Sequence, residues 1–105
     1  MISRQWRGIA KPERTEHYIE HLKRDTFPRL SMIDGFIRAS ILTRPANKGT
    51  EFLIITVWRS MKAIQQFAGT SANVAVVPAA VQEMMIEYEE EVVHYNVLED
   101  YVSQP

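Results

Sequence analysis

The sequence contains no cysteine, so it can form neither a disulfide framework nor a thiolate nucleophile nor a cysteine-ligated metal site. Long apolar runs are also missing, and none approaches the ~20 residues that cross a bilayer. Arg4 and Arg7 interrupt the N-terminal region before the apolar core of a signal peptide can form. We therefore expect a cytoplasmic protein without a membrane partner.

An excess of charge of one sign is absent as well. Twelve Lys and Arg against thirteen Asp and Glu give a net charge of −1, so we expect no nucleic-acid partner. The hydrophobic share of 46% is too high for a disordered chain. A chain of 105 residues suffices for one compact domain, which we expect to span residues 1–105.

Four segments have the apolar patterning of β-strands, namely residues 2–10, 36–44, 51–58 and 91–101. Residues 52–58 are apolar on both alternating faces, which predicts a strand that is covered above and below. Two helical regions separate these strands. The first starts at Pro12, and Pro28 is expected to end it or to kink its last turn.

The second helical region is predicted in two pieces. Ser60 is a suitable N-cap for the first piece, and Gly69 lies just past its end. The other piece starts near Pro78 and carries Val81, Met84, Met85 and Tyr88 at helical spacing. This order of elements predicts an α+β, ferredoxin-like split βαβ fold, with four antiparallel strands and helices on one face.

Helices on one side cover only one face of such a sheet. Residues 36–44 and 52–58 carry large aliphatic side chains on both faces, so either register leaves several of them in water. Each would forgo about 1.5–3 kcal/mol of burial. A second copy laid against the open face removes this cost, so we predict a homodimer. Which alternate set of residues faces the helices is left open.

With these elements in place, the sequence resembles the antibiotic biosynthesis monooxygenase family of dimeric α/β barrels. The resemblance is clearest at residues 2–8 (ISRQWRG), 52–60 (FLIITVWRS), 63–64, 67–69 and 93–95 (VHY). It implies a pocket between sheet and helices that accepts a small aromatic or polyketide-type molecule. It also implies oxidation by molecular oxygen without a metal or flavin cofactor, because a deprotonated, electron-rich phenol can pass an electron to oxygen itself.

The resemblance has two departures. Family members often carry Glu where this sequence has Thr56 and His where it has Phe67, so an acid or base expected there is missing. The haem-degrading branch uses a Trp and a His on the later helix, and residues 60–88 contain neither. Haem degradation is therefore not implied.

His94 is the candidate catalytic base, as the only histidine in a predicted strand. An imidazole titrates near neutrality, which suits the ionisation of a phenol. The alternative is a buried neutral imidazole that hydrogen-bonds to the backbone. Trp6 and Trp58 are candidate aromatic walls for a flat substrate, although packing in the core or at an interface is favoured for Trp58.

Arg38, with Arg4 and Arg7, is a candidate to bind an anionic substrate oxygen, and an ion pair at the barrel rim is the favoured alternative. Asn73, in the loop between the two helical pieces, is a candidate to point its amide into the pocket.

Residues 17–21 spell H-x-x-E-H, a zinc-protease pattern. His17 falls in the middle of the predicted solvent-facing stripe and His21 at its flank, and so short a chain leaves no second lobe to complete a zinc cleft. We therefore expect no metal.

The sequence thus predicts a cofactor-independent monooxygenase, with His94 as base and Trp6 and Trp58 as walls. A non-catalytic barrel that binds a small hydrophobic ligand, and a cyclase or isomerase that uses the same pocket, remain open.

Overall fold

A computed structural model describes residues 1–105 and shows five strands. They are β1 (Ile2–Ala10), β2 (Phe36–Ala46), β3 (Gly49–Trp58), β4 (Met85–Tyr88) and β5 (Val93–Asn96). All pairings are antiparallel, in the order β2-β3-β1-β4, and β5 also pairs with β1. The ferredoxin-like α+β fold is confirmed. Its predicted fourth strand is divided, because β4 and β5 pair with opposite ends of β1.

The helices are α1 (Thr15–His21), α2 (Phe27–Ser31), α3 (Met61–Ala68) and α4 (Ala79–Met84), with a 3-10 turn at Pro12–Arg14. Between α1 and α2 lies a π-helical turn, Leu22–Thr26, in which the N–H of Phe27 donates to the carbonyl of Leu22. Pro28 explains this turn, because proline has no N–H and its ring crowds the carbonyl four residues earlier. Pro28 therefore does not end the helix, which continues to Ser31. None of the helices has the length and hydropathy needed to cross a membrane.

The helix predicted after Pro78 is shorter than expected, and the prediction was wrong for its last residues. Met85 and Tyr88 lie in β4, where they pair with Ala10 and Gly8 of β1. This pairing satisfies backbone groups at the free edge of β1, which a helix would leave without partners. The strand predicted over residues 91–101 is likewise restricted to β5.

The observed register determines which side of the sheet the helices cover. Even-numbered residues of β1 and β3 face the helices, as Trp6 opposite Ile54 illustrates. The buried side chains form two clusters, one containing Phe52 and the other containing Trp58. The odd-numbered residues of β1 and β3 form, with the residues paired to them on β2 and β5, what we call the outer face. Leu42, opposite Leu53, and Tyr95, opposite Ser3, remain 44% and 57% exposed there.

The C-terminal tail, residues 97–105, crosses this outer face. Asp100 Oδ2 lies 3.0 Å from Nη2 of Arg38 on β2, although β5 and β2 lie on opposite sides of β1 and β3. The tail must therefore pass over the two central strands. The side chains of Leu98 and Tyr101 are 98% and 97% exposed, so they do not pack on their own sheet.

Candidate functional site

A cavity of about 80 Å³, partly open to solvent, lies between the sheet and the helices. Its walls come from β1, β3, α1, the π turn, α2, α3 and the wall segment, which we define as residues 72–78 before α4. Eleven of its sixteen lining residues are hydrophobic. The volume lies below the ~150 Å³ of an engineered cavity that accepts benzene, so a guest ring must extend through the open side.

Arg4 is the one Arg or Lys side chain that lines the cavity. It projects from β1 toward the helices, is 5% exposed, and donates to the carbonyls of Ala72 and, at 3.1 Å, Val74 in the wall segment. Its guanidinium carbon lies 5.9 Å from the centre of the Phe67 ring. Burial lowers the pKa of Arg4 to about 10. No carboxylate forms an ion pair with it, so this buried cation lacks a counter-ion.

His94 contacts Arg4 and does not line the cavity. The distance between Arg4 Nη1 and His94 Nε2 is 3.1 Å. Arginine only donates, so Nε2 accepts and the imidazole is neutral. Burial, and then the positive charge of Arg4, lower the pKa of His94. The Nε2 lone pair with which a base would take up a proton therefore accepts the hydrogen bond from Arg4. The role of His94 as base stays a prediction.

The two tryptophans have different positions. Trp6 lines the cavity, but its Nε1 donates to the carbonyl of Glu89 at 2.8 Å, so it offers a guest its ring and not its N–H. A side chain at Gly8 would come within 2.6 Å of that indole ring. Trp58 is fully buried, does not line the cavity, and donates to Thr56 Oγ1 at 2.9 Å. This position in the core agrees with the packing role favoured for Trp58, and its role as a wall stays a prediction.

Arg38 and Asn73 also lie away from the cavity. A register irregularity between Phe36 and Arg38 places Arg38 opposite Val57, on the outer face, where it pairs with Asp100. An ion pair is the alternative that the sequence favoured for Arg38, and its role in binding a substrate oxygen stays a prediction. Asn73 is exposed, and its backbone carbonyl, at 2.8 Å, accepts from Val92 N–H. Neither side chain lines the cavity, and the binding role of Asn73 stays a prediction.

His21 lines the cavity from the end of α1, although the sequence did not indicate it as a binding residue. Its Nε2 is buried without a hydrogen-bond partner, and Asp25 Oδ2, at 3.9 Å, is too distant to serve. His17 is exposed, and no group of three or more His, Cys, Asp or Glu side chains is placed to hold a metal ion. The feature of the sequence that could have indicated His21 is its position three residues after Tyr18, which places it near the buried side of α1.

Both positions at which the sequence departs from the family pattern, Thr56 and Phe67, line the cavity. An acid or base at either position would face the guest, and neither residue supplies one. Tyr18 also lines the cavity and packs edge-on against Phe52, with ring centres 4.8 Å apart. Burial raises the pKa of Tyr18, so its hydroxyl stays protonated.

Solved structures with the same fold include three that are informative. The cofactor-independent oxygenase SnoaB of Streptomyces nogalater is 14% identical, with a TM-score of 0.64 and 94% of each chain covered. A monooxygenase from the gene ActVA-Orf6 of Streptomyces coelicolor, solved with nanaomycin D, is 15% identical, with a TM-score of 0.65; 98% of this chain and 92% of that one are covered. A dimeric ferredoxin-like protein from an uncultured marine organism is 14% identical, with a TM-score of 0.60; 97% of this chain and 98% of that one are covered.

At these identities the structural likeness establishes a shared fold. A comparison with curated protein sequences gives no match. The family model for antibiotic biosynthesis monooxygenases, in contrast, matches residues 1–79, which is more than half of the chain. The chain belongs to the antibiotic biosynthesis monooxygenase family.

Proposed function

We propose that the protein is a monooxygenase that works without a cofactor on a small hydroxylated aromatic or polyketide-type substrate. The observation that supports this most is Arg4, a buried cation without a counter-ion in a largely apolar cavity. Three of its five N–H groups are used by Ala72, Val74 and His94, so two remain for a substrate oxygen. A phenol whose oxygen contacts this guanidinium is bound more tightly as the phenolate, which lowers the phenol's pKa.

Ionisation of the substrate is the step that such a site has to promote. A phenolate passes one electron to molecular oxygen, and the phenoxyl radical and superoxide combine, with one proton, to a hydroperoxide on a ring carbon. Loss of the hydrogen on that carbon as a proton breaks the O–O bond, leaves a carbonyl on the ring and releases the outer oxygen as water. Phenol plus oxygen thus gives quinone plus water, with all electrons supplied by the substrate. The apolar walls reduce the contact of a bound ring with water, and the indole face of Trp6 orients the ring. The likeness to the two Streptomyces oxygenases supports this chemistry.

We propose further that the working unit is a homodimer joined through the outer faces of two sheets. The aliphatic residues Leu53 and Ile55 of β3 lie on this face, and Leu42 beside them is 44% exposed. The tail residues Leu98 and Tyr101 add nearly fully exposed apolar surface. A second copy buries both sets by one symmetric contact, and the dimeric ferredoxin-like neighbour supports this arrangement.

Oxygen uptake with a panel of phenols and hydroquinones tests the role of Arg4. We expect Arg4→Met to lower kcat/KM by about 100-fold or more, as removal of a buried oxyanion donor does in other enzymes. Arg4→Lys should retain part of the activity, because it keeps the charge without the planar fork of donors. Arg29→Met is the matched control, because Arg29 is 62% exposed on α2, and its uptake should equal that of the wild type.

Two results would overturn the oxygenase proposal. Saturable binding of the phenols without oxygen uptake would assign a non-catalytic binding barrel. Turnover under nitrogen would assign a cyclase or isomerase. Circular dichroism of each variant distinguishes loss of chemistry from loss of fold.

A further inference from the structure

The position on β1 next to the Trp6 ring carries no side chain. Gly8 follows Trp6 by two residues on the same strand, so both positions face the helices. Gly8 pairs with Phe52 of β3 on one side and with Tyr88 of β4 on the other. Three aromatic residues therefore border a gap in the sheet surface, on the side of the sheet where the cavity lies.

The indole ring of Trp6 fills this gap. A Cβ atom at position 8 would lie 2.6 Å from Cη2 and 3.1 Å from Cζ3 of Trp6, which are the outermost atoms of the ring. Both distances are shorter than van der Waals contact between carbon atoms, about 3.5–4.0 Å. The ring can lie along β1 and over Gly8 only because residue 8 has no side chain.

Further contacts fix the ring in this position. Its Nε1 donates to the carbonyl of Glu89 at 2.8 Å, and its centre lies 6.1 Å from that of the Tyr18 ring on α1. A methyl group at position 8 would force the indole away from the sheet, toward Tyr18 and the cavity that both aromatic side chains line. The hydrogen bond to Glu89 would then lengthen, and the space between sheet and helices would shrink.

We propose that Gly8 is a positioning residue, which holds the indole of Trp6 against the sheet and so keeps the cavity open for a guest. This proposal rests on the proposed function for the role of the Trp6 ring in orienting the substrate. Gly8 does not line the cavity and acts on it through Trp6. Glycine inside a strand weakens the strand, because it loses more conformational entropy on folding and has no side chain to pack. Position 8 therefore holds a residue that is unfavourable for a strand and favourable for the cavity.

A double-mutant cycle of Gly8→Ala and Trp6→Phe tests this role. Phenylalanine lacks the outer indole atoms that a Cβ at position 8 would meet. In the wild-type background, Gly8→Ala should lower the urea midpoint of unfolding. It should also raise KM for the best substrate of the phenol panel by about two- to tenfold, the range that loss of an aromatic contact produces. In the Trp6→Phe background, Gly8→Ala should leave KM unchanged and should keep or raise the midpoint, because alanine is less unfavourable in a strand than glycine.

The indole N–H resonances give a readout that does not depend on a substrate. The protein has two tryptophans, so its ¹H–¹⁵N spectrum contains two indole signals, and Trp6→Phe identifies the signal of Trp6. Gly8→Ala should shift this signal and accelerate its hydrogen exchange, because the bond to Glu89 lengthens. The signal of Trp58, which donates to Thr56, should stay in place and serves as the internal control.

Three outcomes would overturn the positioning role. Equal losses from Gly8→Ala in both backgrounds would assign its effect to the backbone. A Trp6 signal that does not move would show that the ring tolerates a side chain at position 8. Failure of Gly8→Ala to fold supports the proposal if the added Trp6→Phe restores folding, and overturns it if folding is not restored. A wild type that consumes no oxygen with any phenol overturns the proposed function, while the spectra and the urea midpoints still decide the role of Gly8.

Discussion

The side chain of His94 makes one hydrogen bond, which it accepts from Arg4. Protonation of His94 would abolish this acceptor and place a second positive charge beside the guanidinium. Burial and the charge of Arg4 already oppose this protonation and lower the pKa of His94 below its ordinary value of 6.5. The neutral imidazole is therefore part of the folded structure.

This shift predicts how stability depends on pH. Below pH 6.5 the unfolded chain binds a proton at His94, and the folded chain does not. The free energy of unfolding therefore falls as pH decreases. The fall ends once the pH passes below the pKa of the folded state. Urea unfolding at a series of pH values from about 7.5 downward measures this fall in the free energy of unfolding. His94→Gln keeps an acceptor for Arg4 and does not titrate, so its stability should fall less over this range. Equal slopes for the two proteins would contradict the assignment.

The sequence predicted Trp6 as a cavity residue and missed His21. Trp6 could be predicted because a large aromatic side chain on a central strand packs in the core or lines a cavity. His21 was not selected because it lies at the edge of the helical stripe, where a small rotation of α1 decides between solvent and cavity. The face on which Arg38 lies could not be predicted, because it depends on a register irregularity between Phe36 and Arg38 that no residue type indicates.

At the scale of elements, α3 is the helix whose ends the sequence predicted correctly. Ser60 Oγ accepts from the N–H of Ala63 at 3.2 Å, and Gly69 follows the helix with φ of +81°. This helix positions Phe67 at the cavity and packs Ile64 in the core. Its N-cap therefore contributes to the shape of the site.

Ser60→Ala should lower the free energy of unfolding by about 1 kcal/mol, because it removes the acceptor for an N–H in the first turn. Ser60→Asp supplies another capping oxygen and should remain close to the wild type. Urea denaturation of the three proteins measures the difference. An alanine variant as stable as the wild type would show that the cap contributes nothing.

In the β4 region the local spacing of apolar residues predicted the wrong secondary structure. Met84 and Met85 are both buried, at 8% and 5% exposure, so the apolar spacing correctly reported burial. The change from helix to strand between them is imposed by the free edge of β1, which lies about 75 residues earlier in the chain. Helical spacing over a few residues contains no information about that distant partner.

At the scale of the whole molecule, the outer face predicts self-association. Ile55 lies on the inner strand β3, opposite Gln5 of β1 and Ser40 of β2, near the middle of that face. Ile55→Lys places a charge there and should convert a dimer at micromolar concentration into a monomer in analytical ultracentrifugation. Met32→Lys is the control, because Met32 is 87% exposed beside α2 on the helical side. A wild-type protein that sediments as a monomer would contradict the homodimer.

The two bonds from Arg4 to Ala72 and Val74 have a consequence for the shape of the cavity. The wall segment is attached to the sheet partly by the same guanidinium that would meet an oxyanion. Two N–H groups of Arg4 remain free, so an oxyanion can bind without displacing these carbonyls. One side chain thus anchors the wall and supplies the positive charge, and a variant that removes the charge also removes the anchor.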